Sequence, residues 1–121
     1  MIKKVTRNTR RVKRHKRTMK KFQGSAEKPR LSVFRSLKNI YAQVIDDQAG
    51  KTLVSASTAS KKFKNKENTC TIATAKEVGT VLAEECLKNN IKKVIFDKNG
   101  YKYHGKIKAL ADACREGGLA F

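Results

Sequence analysis

The chain has 121 residues, enough for one domain and a short extension. Lys and Arg number 29 against 10 Asp and Glu, a formal net charge of +19, and self-repulsion on that scale opposes compaction and is relieved by a polyanion. No apolar run approaches the ~20 residues of a membrane span, and Cys70, Cys86 and Cys114, odd in number and far apart, suggest neither a disulfide framework nor a zinc site but a reducing compartment.

The charge excess sits first at the N-terminal end. Residues 1–30 hold thirteen Lys or Arg and one Glu, and residues 31–121 hold sixteen basic and nine acidic side chains. The run KKVTRNTRRVKRHKRTMKKF supplies Lys3, Lys4, Arg7, Arg10, Arg11, Lys13, Arg14, Lys16, Arg17, Lys20 and Lys21 without a single acid. Like charges at i,i+4 destabilise an isolated helix, and Val5, Val12 and Met19 form only a sparse apolar stripe. Residues 1–22 are therefore expected to be an arm, loose alone and ordered on a polyanion. The alternative is a short helix docked on the domain. The arm is too poor in apolar residues for a membrane anchor. It also contains no Ser, unlike an organellar transit peptide. Nucleic acid is the favoured polyanion.

QGSAEKPR (23–30) reads as a linker, with Gly24 and Ser25 as breakers and Pro29 holding Lys28 extended. The domain, residues 31–121, opens with alternating, β-branched and aromatic runs. RLSVFRS (30–36), NIYAQVID (39–46) and TLVSAST (52–58) read as three strands of an antiparallel meander. Ile40, Ala42 and Val44 are expected on one face, and Tyr41, Gln43 and Ile45 on the other. DDQAGK (46–51) is a turn and ASKKFKNKEN (59–68) a basic loop.

A helix is expected from about Thr69 or Thr71 to Lys88. Asn68 or Thr69 would cap it, and Ile72, Ala75, Gly79, Leu82, Ala83 and Cys86 would face inward. KKVIFD (92–97) is a fourth strand and Asn99-Gly100 a tight turn. A second helix runs from about His104 to Glu116, with Ile107, Leu110, Ala111 and Cys114 inward and Gly117-Gly118 as its stop. A helix-bearing connection permits the fourth strand to lie parallel to a neighbour. The fold class is thus α/β: a single mixed sheet, three antiparallel strands followed by helix-strand-helix.

Four segments carry binding chemistry. The arm is the first. In FRSLKNIYAQ, Arg35, Lys38 and Tyr41 place cations beside an aromatic plane, which suits stacking and phosphate contact as well as an ordinary exposed hairpin. In SASTASKK, the hydroxyls of Ser55, Ser57, Thr58 and Ser60 precede Lys61 and Lys62 and can hold phosphate or ribose. In FDKNGYKYHGK, Tyr101, Tyr103 and His104 stand with Lys102 and Lys106 at a helix start. That is either an aromatic-basic platform or one inward tyrosine with a capping histidine. A metal nuclease needs converging carboxylates, but Asp46, Asp47, Asp97 and Asp112 are scattered and the first strand carries no acid. No catalytic motif, cofactor motif or metal-ligand spacing is present.

The segments RLSVFRS, IYAQVIDD, SAST, FD-x-x-G-x-x-YHG and ALADA-x-REGGL-x-F resemble the bacterial-type large-subunit ribosomal protein eighteen family, the 5S-rRNA binders, along essentially the whole chain. The resemblance implies an RNase-H-like layout without catalytic acids, and a structural protein rather than an enzyme. Its implied partners are 5S rRNA, the large-subunit 23S-type rRNA and neighbouring large-subunit proteins of the central protuberance. Its implied place is the cytoplasmic ribosome of a bacterium or a plastid ribosome. Carried onto this chain, RNA contacts fall on the arm cations named above, on Arg30, Arg35, Ser36, Lys38, Asn39 and Tyr41, on Ser57, Thr58 and Lys61, and on Tyr103, His104 and Lys106. Lys98 and Lys106 stand where Arg is common in the family, keeping the charge without the bidentate fork.

Overall fold

Alternating side chains along the first half of the domain resolve into three strands joined by two reversals in the computed structural model, which describes residues 6–19, 23–59 and 71–121. Strands β1 (Arg30–Arg35), β2 (Ile40–Asp46) and β3 (Lys51–Ser57) form the expected antiparallel meander. Strand β4 (Ile95–Asp97) pairs parallel with β1 at the other edge, giving the order β3-β2-β1-β4. Helices α1 (Arg7–Met19), α2 (Ile72–Lys88) and α3 (Lys106–Glu116) complete the molecule. The fold is α/β with one mixed four-stranded sheet, as the sequence pattern implied.

The period of two sorts the sheet into two faces. Leu31, Val33, Ile40, Ala42 and Val44 are fully buried on the inner face. α2 packs on β2 and β3, and α3 packs on α2. Val78, Leu82 and Cys86 of α2 and Ile107, Leu110 and Cys114 of α3 complete the core. The two helices approach closely because the seam is built from small residues. A Cβ on Gly79 would lie 2.6 Å from the Leu110 carbonyl oxygen and 2.8 Å from the Ala113 Cβ. Burial pushes the thiol of Cys86 up to about 11 and that of Cys114 to about 12.

Helix ends follow local chemistry. Thr71 caps α2: its side chain accepts from Thr74 N, and the Thr74 hydroxyl accepts from Thr71 N, a reciprocal box. The expected caps Asn68 and Thr69 lie outside the described residues. Ile72, expected inward, sits in the first turn and is half exposed. α3 starts after Gly105, which has φ +57 and no side-chain cap, so His104 does not cap it.

Residues 23–30 are not a slack connection. Gly24 is buried, its N–H donates to Asp47 Oδ2 at 2.6 Å, and its carbonyl accepts from Asp47 N at 3.2 Å. Pro29 is buried too, and its carbonyl accepts from Ile95 N at 2.9 Å, which continues the β1–β4 pairing.

Candidate RNA interface

The outer face of the sheet presents Ser32, Phe34, Tyr41 and Gln43, cross-strand partners in two pairs, Ser32 with Gln43 and Phe34 with Tyr41. Beside it lies the cationic helix. α1 is formed and docked, in contrast to the loose arm expected from charge and apolar content. Thr6 begins it, its hydroxyl accepting from Thr9 N at 3.1 Å. Like-charge repulsion along the helix is offset by contacts to the domain. Arg11 Nη1 donates to the Asn99 carbonyl at 2.9 Å and Arg14 Nε to the Gly100 carbonyl at 3.0 Å. Val12, the middle residue of the sparse apolar stripe, is exposed. The described contacts that hold the helix to the domain are polar.

The receiving surface is the Asn99-Gly100 turn. Both residues have positive φ, +55 and +78, and Tyr101 N closes the turn on the Lys98 carbonyl at 3.0 Å. A Cβ at Gly100 would collide with the Arg11 carbonyl. Here glycine is required both by backbone conformation and by the close approach of the helix.

Beneath the dock runs a charged chain. His15 Nε2 and Arg30 Nη1 meet Asp97 Oδ2 at 2.8 and 2.7 Å. Arg30 Nε and Nη2 grip the two oxygens of Asp47, each at 3.0 Å, a bidentate pair. Asn99 N adds a bond to Asp97 Oδ1 at 2.9 Å. The Arg30 guanidinium holds the Asp47 carboxyl below the usual carboxylate range, and Asp47 raises Arg30 in return.

Above this base, α1, the β1–β2 hairpin and the loop before α3 enclose an open groove of about 990 Å³. Arg7, Arg10, Arg11 and Arg14 form one wall, and Arg35, Ser36 and Leu37 the second. Tyr101, Lys102, His104 and Lys106 form the third. Among the described residues, seven that line it are Lys or Arg and none is Asp or Glu. Among the described residues, Arg7, Arg10, Arg11, Arg14 and Arg35 make no ion pair; the described pairs engage His15, Arg30, Lys88 and Arg115. Arg11 and Arg35 both lie over the Tyr101 ring, 4.9 and 5.1 Å from its centroid. The Tyr101 hydroxyl donates to the Arg35 carbonyl at 3.2 Å. Two guanidiniums on one ring, with no carboxylate paired to them among the described residues, form a site suited to phosphate oxygens. Leu37 at the hairpin tip is 99% exposed.

The expected contact residues divide accordingly. Arg7, Arg10, Arg11, Arg14, Arg35, Ser36, His104 and Lys106 come together in the groove. Lys13, Lys16 and Arg17 are exposed on α1 but do not line the groove. Lys38 is exposed at the hairpin, where the Asn39 carbonyl accepts from Ser36 N at 2.8 Å. Tyr41 lies on the outer sheet face, and Ser57, at its register partner on β3, is half buried with its Oγ accepting from Ala59 N at 3.0 Å.

Three expectations meet a different placement. Arg30 is only 7% exposed and engaged by Asp47 and Asp97, so its charge is taken up inside the protein. Thr58 is buried, its hydroxyl accepting from Ile40 N at 2.9 Å and donating to Asn39 Oδ1 at 3.0 Å. Tyr103 points away from the groove, edge-on to Phe96, its hydroxyl accepting from Arg115 Nη1 at 2.7 Å. Lys3, Lys4, Lys20, Lys21 and Lys61 lie outside the described residues. The carried-over contacts omitted Tyr101, Lys102 and Phe34. For Phe34, the signal was available in the strand alternation, which places it on the same face as Ser32.

No helix among the described residues is long and apolar enough to cross a membrane. No group of three His, Cys, Asp or Glu side chains among them could hold a metal ion.

Comparison with known proteins agrees with this surface chemistry. Residues 5–121 match the family model described as ribosomal L18 of archaea, bacteria, mitochondria and chloroplasts. Proteins named large ribosomal subunit protein uL18 are 56% identical in Thermotoga neapolitana, 54% in Acetivibrio thermocellus and 57% in Lactobacillus johnsonii, each match covering the whole of both chains. The chain belongs to the ribosomal L18 family, whose members are ribosomal proteins and not enzymes.

Proposed function

We propose that this protein is a structural constituent of the large ribosomal subunit that binds 5S rRNA and helps attach it to the large-subunit rRNA in the central protuberance. The observation that carries the reading is the groove, whose described lining has seven Lys or Arg side chains and no acid. An RNA backbone supplies negative charge to meet these cations. The outer sheet face beside it offers rings and hydroxyls to unpaired bases. The cations of α1 that lie outside the groove, Lys13, Lys16 and Arg17, leave a second flank for another RNA segment, as a protein joining two RNAs requires. Residues 1–22 serve as the RNA-binding arm, residues 31–121 as the 5S-rRNA-binding domain, and neighbouring large-subunit proteins are further partners.

The test is a filter-binding titration of the full chain with 5S rRNA, using transfer RNA as competitor. Binding to 5S rRNA is expected to survive the competitor. If six to ten phosphates are contacted, affinity falls by roughly three to five decades between 50 and 200 mM salt on the duplex-DNA scale, and less on single strands. Equal affinity for both RNAs would overturn the reading in favour of a general cationic binder.

A further inference from the structure

Next to the groove, and sharing Ser36 with it, the outer sheet face holds a second depression of about 490 Å³. Its floor is the cross-strand pair Phe34 and Tyr41, ring centroids 6.1 Å apart and tilted by 39°. Ser32, Gln43 and Asn99 stand around it. Phe34 is 42% exposed, and such a ring on an otherwise polar strand face keeps apolar surface in water, which folding alone does not reward. The Arg11 guanidinium lies 5.6 Å from its centroid, bringing a phosphate-binding cation to the rim of the aromatic floor.

We infer that this depression is a subsite for one unpaired nucleobase of an RNA strand whose phosphates occupy the adjoining groove. The rings are too close and too tilted to hold a base between them, so the base lies on top of them. Stacking on an aromatic face is indifferent to base identity. The Gln43 amide, exposed and carrying both donor and acceptor atoms, stands where it meets a base edge and adds preference. The inference deepens the proposed function by naming the ligand of a neighbouring patch, and it rests on that reading for the source of the base.

The experiment separates base from backbone. The full chain is titrated with a short unstructured oligoadenylate and with an abasic ribose-phosphate oligomer of equal length and charge. The wild type should prefer the base-bearing strand by about 10-fold, the scale of one base stacked on an aromatic side chain. Phe34→Leu should remove most of that preference, read as the ratio of the two affinities within the variant, so that any shift of Arg11, which lies 5.6 Å from the ring, acts on both strands alike. Phe34→Tyr should keep the preference. Circular dichroism of both variants checks the fold. A wild type without preference, or a folded Phe34→Leu that retains it, would overturn the subsite. Loss of 5S rRNA selectivity with the oligoadenylate preference intact would instead overturn the proposed function and leave the subsite standing.

Discussion

The α2–α3 seam and the α1 dock join helices to the same domain by opposite means. The seam is apolar and small: Gly79, Ala83, Ala113 and Gly117 let the backbones approach, and Leu82, Leu110 and Cys114 fill the remaining space. The dock is polar: two arginines on turn carbonyls, a histidine on a buried carboxylate, and guanidiniums over Phe34 and Tyr101. A seam of the first kind is indifferent to salt and to anions. A dock of the second kind is made of charged groups at the surface, so it should respond to salt where the seam does not.

The largest effect that would sharpen this contrast comes from the charged chain under the dock. Arg30→Met leaves Asp47 and Asp97 without their buried partner, and should cost about 3 kcal/mol at neutral pH, measured by urea unfolding. Because Asp47 is depressed in the folded wild type, its contribution is full above the unfolded value, about pH 3.9. It is lost as pH falls through the lower folded value. The gap between wild type and variant should therefore narrow on acidification below about pH 4. A gap constant with pH would assign the loss to packing instead.

Next in size is Gly79→Leu, which drives a side chain into the Leu110 carbonyl and the Ala113 Cβ. Overpacking of this kind costs about 2 kcal/mol. It should also make Cys114, whose Sγ lies 3.5 Å from the Gly79 carbonyl oxygen, alkylate faster than in the wild type. Unchanged alkylation with unchanged stability would show that the seam has slack. The smallest effect belongs to the dock itself. Gly100→Ala sets a Cβ against the Arg11 carbonyl at a positive φ and should cost about 1 kcal/mol. Hydrogen exchange should show protection lost in α1 and kept in α2 and α3. Loss of protection in all three helices would mean that α1 is part of the cooperative core.

The sheet and the helices of the domain were legible because burial there follows period. β2 runs buried and exposed in alternation from Ile40 to Val44, and Ile107, Leu110, Ala111 and Cys114 fall inward as spaced. The parallel β4 followed from the length of the connection, and the Asn99-Gly100 turn from its residue pair. The cap of α2 was misplaced because Thr71 with Thr74 is a hydroxyl pair, without the acidic partner that marks such a box in sequence. The dock was underestimated because apolar spacing is the wrong instrument for an interface of arginines on carbonyls. Its acceptors, Asn99 and Gly100, lie 88 and 86 residues from their donors. Arg30 was carried over as an RNA contact, and its partners, Asp47 and Asp97, converge on it only after the sheet has formed. Which tyrosine of the 101–103 pair would enter the groove depended on how the loop leaves the turn, and no periodicity encodes that.

The helix resting on the Asn99-Gly100 turn has a thermodynamic consequence for association. Fixing a backbone costs roughly 1–2 kcal/mol per residue, and in this chain the cost for α1 falls on folding the monomer, before any partner arrives. On the proposed reading, an RNA strand meets a surface already shaped, and less of the interaction energy is consumed by disorder at the moment of encounter.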